Sequence, residues 1–313
     1  MTECRDIVVK QSNRLDKAIV LSMPELSRSQ VQRIIDNGGV KIEGEINTKA
    51  SSQITAGTKI SVTEPRSPES NLIAKNIHLD IIFEDEETLV LNKSAGILVH
   101  PNKESDGTTL INAVRAQYPE ISSLGNSDQG GIVHRLDRDT SGVIAFAKSA
   151  ASHYLLQEQW RKRTTFKSYL AVVSGKLDHL QAKIETQLGP DPQDPRRQAV
   201  IEHGRSARSE YKIIEEYGNE AALIEVQIYT GRTHQIRVHM SAIGNPIIGD
   251  TLYGTNSIYI SRQALHAYRL GFSLPSNGEW REFLAQIPVD LIKLIENYRE
   301  IHETKPMLEL KEM

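Results

Sequence analysis

The sequence predicts a large α+β domain with a mixed, mostly antiparallel central sheet and flanking helices, preceded by a small α/β module. Three observations carry this. Beyond residue 78, strand-like segments are interrupted by single helices with no regular strand–helix–strand rhythm. Before residue 63, two short helical patterns are followed by two short strands. Between them, TEPRSPESN (63–71) holds two prolines and no large apolar residue. The expected division is a small module over 1–63, a linker over 64–77, a large domain over 78–300 and a poorly ordered tail over 301–313.

In the module, RLDKAIVLSM places Leu15, Ala18, Ile19 and Leu21 at helical spacing, and Pro24 breaks the pattern. Ser27 suits the N-cap of a second helix with Val31, Ile34 and Ile35 on its inner face, and Gly38-Gly39 suits its end. VKIEG and KISV read as strands. In the large domain, LDIIFEDE, TLVLNKS, GVIAFAKS, TTFKSYLAVVSG, ALIEVQIYTG and LHAYRLGFSL read as strands. TLINAVRAQYP, AASHYLLQEQWRKR and THQIRVHMSAIG read as helices, the last capped by Thr233, with Ile236, Met240 and Ile243 on one face and Gly244 at its end.

Composition narrows the function. A chain of 313 residues with one cysteine, Cys4, can form no internal disulfide and no thiolate metal cage. No apolar run approaches the ~18 residues of a membrane span, and MTECRDIVVKQ does not read as a signal peptide. The expectation is a cytoplasmic protein without membrane contact. Net charge is −3, which argues against generic nucleic-acid affinity. Residues 131–170 run the other way, with seven basic residues against three acidic ones.

That basic stretch contains HRLDRDTSG (134–142), where Asp137 stands between Arg135 and Arg138 on a loop feeding a strand. An aspartate among arginines keeps its negative charge near neutral pH, which suits a nucleophile or an electrostatic partner better than a proton donor. Asp139, Thr140 and Ser141 are also turn formers, so a plain capped loop is the competing reading. GRTHQIRVHMSAIGNPIIGDTLYG (231–254) puts Arg232 near a helix N-terminus, where anions bind well. His234 and His239 are five apart, which is poor spacing for one helical face, and with no obvious third ligand they read as surface or hydrogen-bonded structural groups rather than zinc ligands. RRQAVIEHGRSARSEYKIIEEY (196–217) is arginine-rich ahead of a strand: a solvated loop, or a strap contacting phosphates through residues such as Arg196 and Arg197. Tyr169, in an otherwise apolar strand, reads as a core tyrosine. No phosphate-binding GxxxxGK[ST] loop, no GxGxxG opening a helix and no GxSxG elbow is present.

Taken together, HRLDRDTSG, NKSAGILVHP (92–101), KSYLAVVSG (167–175), the 231–254 segment and QALHAYRLGFSLP (263–275) resemble, in order, the motifs of the RluA-type pseudouridine synthases. Ser94 replaces the proline usual in the second of these. The N-terminal module resembles the RNA-binding domain shared with small-subunit ribosomal protein S-four. The pairing is most similar to the large-subunit (23S) ribosomal RNA synthases of the D type, and C-type synthases share it. The resemblance implies isomerisation of specific uridines by base flipping, glycosidic cleavage, base rotation and C–C bond formation, with no metal and no organic cofactor. It implies Asp137 as the essential aspartate, Tyr169 against the flipped base, Arg232 paired with the aspartate, Arg135 beside the gap left by flipping, and Ile236 packed on the pocket. Expected RNA contacts are Arg14, Arg28, Arg33, Lys41, Arg138, Arg196 and Arg197. Expected partners are large-subunit ribosomal RNA or a pre-ribosomal particle, met by a monomer. An RNA-binding assembly factor, a synthase acting on transfer RNA and a hydrolase using Asp137 with His134 are the alternatives.

Overall fold

A computed structural model describes residues 4–24, 26, 28–63, 77–101, 109–123 and 130–306. The chain forms two compact units, Met1–Ser70 and Asn71–Met313. Residues 64–76, which hold most of the expected linker, and the expected N-cap Ser27 lie outside the described residues.

The first unit contains β1 (Cys4–Val8), β2 (Asn13–Arg14), α1 (Leu15–Ser22), α2 (Arg28–Asp36), β3 (Val40–Ile42), β4 (Glu45–Ile46), β5 (Gln53–Ile54) and β6 (Lys59–Thr63). A sheet in the order β1-β6-β3-β4 carries the two helices, and β2 pairs with β5. Leu15, Ala18, Ile19, Val31, Ile34 and Ile35 are buried, as their spacing predicts. Leu21 is 68% exposed, because six residues from Leu15 it has left the apolar stripe. Gly38 ends α2 at φ 72°, and the next amide returns to Ile34 O at 2.8 Å. The β1 strand is an edge the sequence pattern did not reveal.

The second unit runs β7 (Ile81–Glu84), β8 (Thr88–Lys93), α3 (Leu110–Gln117), β9 (Ser141–Ala147), α4 (Ala150–Lys162), β10 (Phe166–Ser174), β11 (Gln181–Pro190), β12 (Gln198–Val200), β13 (Arg205–Tyr217), β14 (Ala221–Ile228), α5 (Gln235–Ala242), β15 (Leu265–Ser273), β16 (Trp280–Leu284) and α6 (Val289–Ile301). One sheet has the order β12-β11-β13-β14-β10-β15-β9-β8-β7, with β16 beside β15. Its β9–β15 pair is parallel and its other ladders are antiparallel. This is the mixed sheet expected.

Central position explains composition. All seven residues of β9 are buried, so the strand reads as a continuous apolar run rather than an alternation. Helix α4 opens on a reciprocal cap between Ser149 and Ser152. It closes on Arg163 in the left-handed region at φ 58°. Gly142 has φ 118°, and a Cβ there would stand 2.1 Å from Ala267 O. Only glycine allows β9 to approach β15 that closely.

The third helical segment corrects one expectation. Thr233 is not the cap of α5: His234 holds that place at φ 57°, with no side-chain cap bond. The left-handed residue turns the chain one position later than the sequence suggests. The Gln235 side-chain oxygen instead accepts from Arg232 N at 3.1 Å and from the Thr230 hydroxyl at 2.7 Å. Ile236 and Met240 are buried, but Ile243 lies at the helix end, 41% exposed.

Candidate active site

A cavity of about 410 Å³ opens where the loop before β9, the start of α5 and the strand β10 converge. Asp137, Arg135, Tyr169, Arg232 and Ile236 all line it. Five residues spread over a hundred positions of sequence therefore share one site.

The carboxylate is held from below. Asp137 Oδ2 accepts from Arg237 Nη1 at 3.2 Å. The same guanidinium donates through Nε and Nη2 to Asp250, at 2.6 and 2.9 Å. Asp250 has no exposed side-chain surface and also accepts the backbone N–H groups of Leu252 and Tyr253, at 3.0 and 3.2 Å. Bidentate pairing fixes the guanidinium plane, and the remaining Nη1 fixes where Asp137 points. The Arg237 guanidinium lies 5.0 Å from the Tyr253 ring centroid. The Tyr253 hydroxyl contacts His234 Nδ1 at 2.8 Å, and His234 Nε2 stands 3.9 Å from Asp137. Burial holds His234 below the usual imidazole range, against the opposing pull of Asp137.

The pairing of Arg232 with the aspartate is corrected here: Arg237 makes that contact. Arg232 sits on the loop ahead of α5, and its Nε donates to Ser206 O at 3.0 Å. Arg237 is reached from the helix, on the buried run Gln235–Met240. The signal was present: a charged side chain inside an apolar run needs a buried counter-charge, and Asp250 lies thirteen residues on.

The loop carrying Asp137 is tied at each following residue. Lys93 is 1% exposed, and its Nζ donates to Ser94 O, Ile97 O and Arg138 O at 2.8, 2.9 and 2.9 Å. Burial pushes this ammonium down to about 7, and Asp139 pulls the other way. Arg262 donates to Asp139 O at 3.1 Å while pairing with Asp290. Gln263 reaches the Thr140 hydroxyl at 3.2 Å, and Ser141 Oγ meets His266 Nδ1 at 2.9 Å. Ser94 contributes its carbonyl to this network, a group that proline carries equally.

Tyr169 packs against both of the larger apolar cores of the unit. The β10–β15 ladder shifts register between Ser168 and Tyr169, a bulge of the kind found beside active sites. Burial, reinforced by Asp137, raises the phenol well above its usual range, so it is a neutral ring at physiological pH. His134 is structural: its Nε2 accepts Ala145 N–H at 3.0 Å, and its ring stacks on Trp160. Burial and the nearby Lys167 drive it down to about 3. An imidazole so committed offers a hydrolase no base. His239 is likewise bonded on both sides, to Thr186 and Ser209.

The expected RNA contacts divide. Arg138 is exposed, with Nε on Gly96 O at 3.2 Å. Arg196 pairs with Asp194 at 2.7 Å, and Arg197 with Asp191 at 3.6 Å. In the first unit, buried Asp16 holds both Arg14 (3.1 Å) and Arg28 (3.3 Å) at the surface, and Lys41 is exposed. The Arg33 side chain lies outside the described residues.

Residues 87–242 match the family described as RNA pseudouridylate synthase, and residues 13–60 match the S4 domain. An uncharacterised RNA pseudouridine synthase of Bacillus subtilis is 38% identical over 292 residues, covering 93% of this chain and 96% of the relative. The chain belongs to the RNA pseudouridine synthase family. The synthase is also 37% identical over 297 residues to the ribosomal large subunit pseudouridine synthase D of Neisseria meningitidis serogroup A, covering 90% and 78% of the two chains. For that of Vibrio parahaemolyticus the identity is 34% over 301 residues, covering 92% and 91%. In fold, the synthase is similar to human RNA pseudouridylate synthase domain containing 4, with TM-score 0.57 and 21% identity over 76% of this chain and 98% of that one. The synthase isomerises uridine in RNA and carries an S4 RNA-binding domain.

Proposed function

We propose that the synthase converts specific uridines of large-subunit ribosomal RNA to pseudouridine, with Asp137 as the essential carboxylate. The observation that carries this is the Asp250–Arg237–Asp137 chain, which ends in an oriented carboxylate at the cavity wall. Support for the substrate comes from the relatives named ribosomal large subunit pseudouridine synthase D, which match over most of their length.

The chemistry follows from the lining. Extruding a uridine costs a few kcal/mol, recovered by packing its base in the pocket; Tyr169 and Ile236 supply that packing. The N1–C1′ bond breaks, the base turns, and C5 bonds to C1′. The C5 proton leaves and N1 gains one, so the reaction balances as an isomerisation. Whether the carboxylate attacks or accepts the proton, it must be an oriented anion, and Arg237 orients it. Arg135, exposed on the cavity lining, is the side chain to fill the stack that the flipped uridine vacates. The S4 domain adds Arg14, Arg28 and Lys41 as contacts to the RNA backbone.

The test is carbodiimide mapping of pseudouridine in unmodified large-subunit ribosomal RNA and in unmodified transfer RNA, with wild type and Asp137→Asn. New stops in ribosomal RNA with wild type alone are expected. Stops confined to transfer RNA would overturn the substrate, and stops with Asp137→Asn would overturn the role of the carboxylate.

A further inference from the structure

The cavity lining holds two electrostatically different sets of residues. In one, Arg237 answers Asp137 and, behind it, buried Asp250. In the other, Arg163, Lys167 and Arg232 line the same cavity, and among the described residues none has a carboxylate within ion-pair distance. The neighbouring Arg161 shows the difference, since its Nε and Nη2 both donate to Glu158 at 2.6 Å.

Lys167 is the least ordinary of the three. It is 8% exposed, it stands on β10, and it makes no hydrogen bond among the described residues. A buried ammonium without a partner is costly. Burial and Arg163 hold it down to about 8. Its charge reaches His134 across the cavity wall, and burial, with Arg163 and Arg205, depresses Arg232 as well. Arg163 thus repels both Lys167 and Arg232. Such an arrangement is stable when an anion from outside completes it.

Placement specifies the anion. Lys167 and Tyr169 are two residues apart on one strand, so they share a face at a separation of about 7 Å. Arg163 is the left-handed residue through which α4 turns into β10, and Arg232 joins the lining from the loop before α5. A nucleotide with its base on Tyr169 brings its own sugar–phosphate beside Lys167.

We propose that Lys167, Arg163 and Arg232 form a phosphate corner of the cavity, which takes a backbone phosphodiester adjoining the uridine seated at Tyr169 and Asp137. The inference rests on the reading of this cavity as the uridine site. It makes Lys167 a residue that positions the target nucleotide by charge, distinct from the residues that act on the base.

The experiment uses the full chain. Wild type, Lys167→Met, Lys167→Arg and Arg163→Gln are titrated with a fluorescent single-stranded oligouridylate at several salt concentrations. The same oligonucleotide with uncharged methylphosphonate linkages is the second probe. Lys167→Met is expected to weaken binding about tenfold and to lower the slope of log affinity against log salt by about 0.7. Lys167→Arg retains both, and Arg163→Gln, at an exposed position, shows the same fall in slope. On the uncharged probe, wild type and Lys167→Met bind alike. The proposal is overturned if the slopes match wild type, if Lys167→Arg is as damaged as Lys167→Met, or if the difference survives on the uncharged probe. Pseudouridine formation in ribosomal RNA is followed in parallel. A wild type that isomerises nothing removes the functional reading, while the salt slopes still decide the phosphate corner.

Discussion

Replacing Arg237 by methionine removes one guanidinium from between two carboxylates, and the two losses can be separated. Asp250 has no exposed side-chain surface and keeps only its backbone donors at 3.0 and 3.2 Å. Stranding a buried charge in this way costs about 3–5 kcal/mol. For a domain of this size that lowers Tm by roughly 10 °C. Asp137 loses the contact at 3.2 Å that aims it, and misplacement of a reacting group by ~1 Å costs about a hundredfold in rate. The double variant Arg237→Met/Asp250→Asn no longer buries an unanswered charge. Its stability is expected within about 1 kcal/mol of wild type, while activity stays at least about a hundredfold down. Urea unfolding and a pseudouridine assay on the same preparations read the two effects. A double variant that regains activity with stability would refute the argument, because the single variant would then have failed through folding alone. Arg237→Lys is expected to resemble the methionine variant, since an ammonium cannot bridge both carboxylates in the guanidinium geometry.

Lys93→Met takes a donor from three carbonyls, of which Arg138 O keeps the Gly96 N–H at 3.0 Å; relief of the buried ammonium offsets part of this, for a net loss of about 2 kcal/mol, read by urea unfolding, with unchanged stability counting against the tie between the two loops. Gly142→Ala places a methyl 2.1 Å from Ala267 O at φ 118°, and a loss of roughly 3 kcal/mol or more is expected; a melting curve like that of wild type would exclude the close approach of β9 and β15. His239 and His266 have no exposed surface, and burial depresses each to about 4. Their neutral forms favour folding, so this stability is fully present above about 6.5 and is lost as pH falls towards 4, by about 3 kcal/mol for each histidine. Urea midpoints that stay constant between pH 6.5 and 4.5 would refute it, and His266→Asn is expected to flatten the profile.

Much of this architecture is local and therefore readable. Helices α1, α2 and α4 and strands β8, β9, β10, β14 and β15 follow from apolar spacing, caps and glycines, each a property of about ten neighbouring residues. The strand pattern was missed where pairing rather than composition makes the strand. β11 (Gln181–Pro190) alternates polar residues with small or apolar ones, and becomes a strand because β13 satisfies its backbone over eight pairs. Helix α6 was missed although Leu291, Leu294 and Ile295 carry its buried face, a signal that the spacing contained.

The site divides in the same way. Asp137, Tyr169, Arg135 and Ile236 were legible because their motifs place them in short, distinctive segments, and all four line one cavity. The partner of Asp137 was not. Two arginines, five residues apart, both lie in a motif that could supply it, and sequence spacing gives no direction in space. The left-handed turn at His234 sends Arg237 inward to Asp250 and leaves Arg232 at the cavity edge. The sequence by itself determined the family and the two-part organisation and singled out Asp137, since each is written in contiguous residues. Only the tertiary structure decided which cation orients that carboxylate and which cations are left without an anion, because charge pairing is settled by distances between segments the chain keeps far apart.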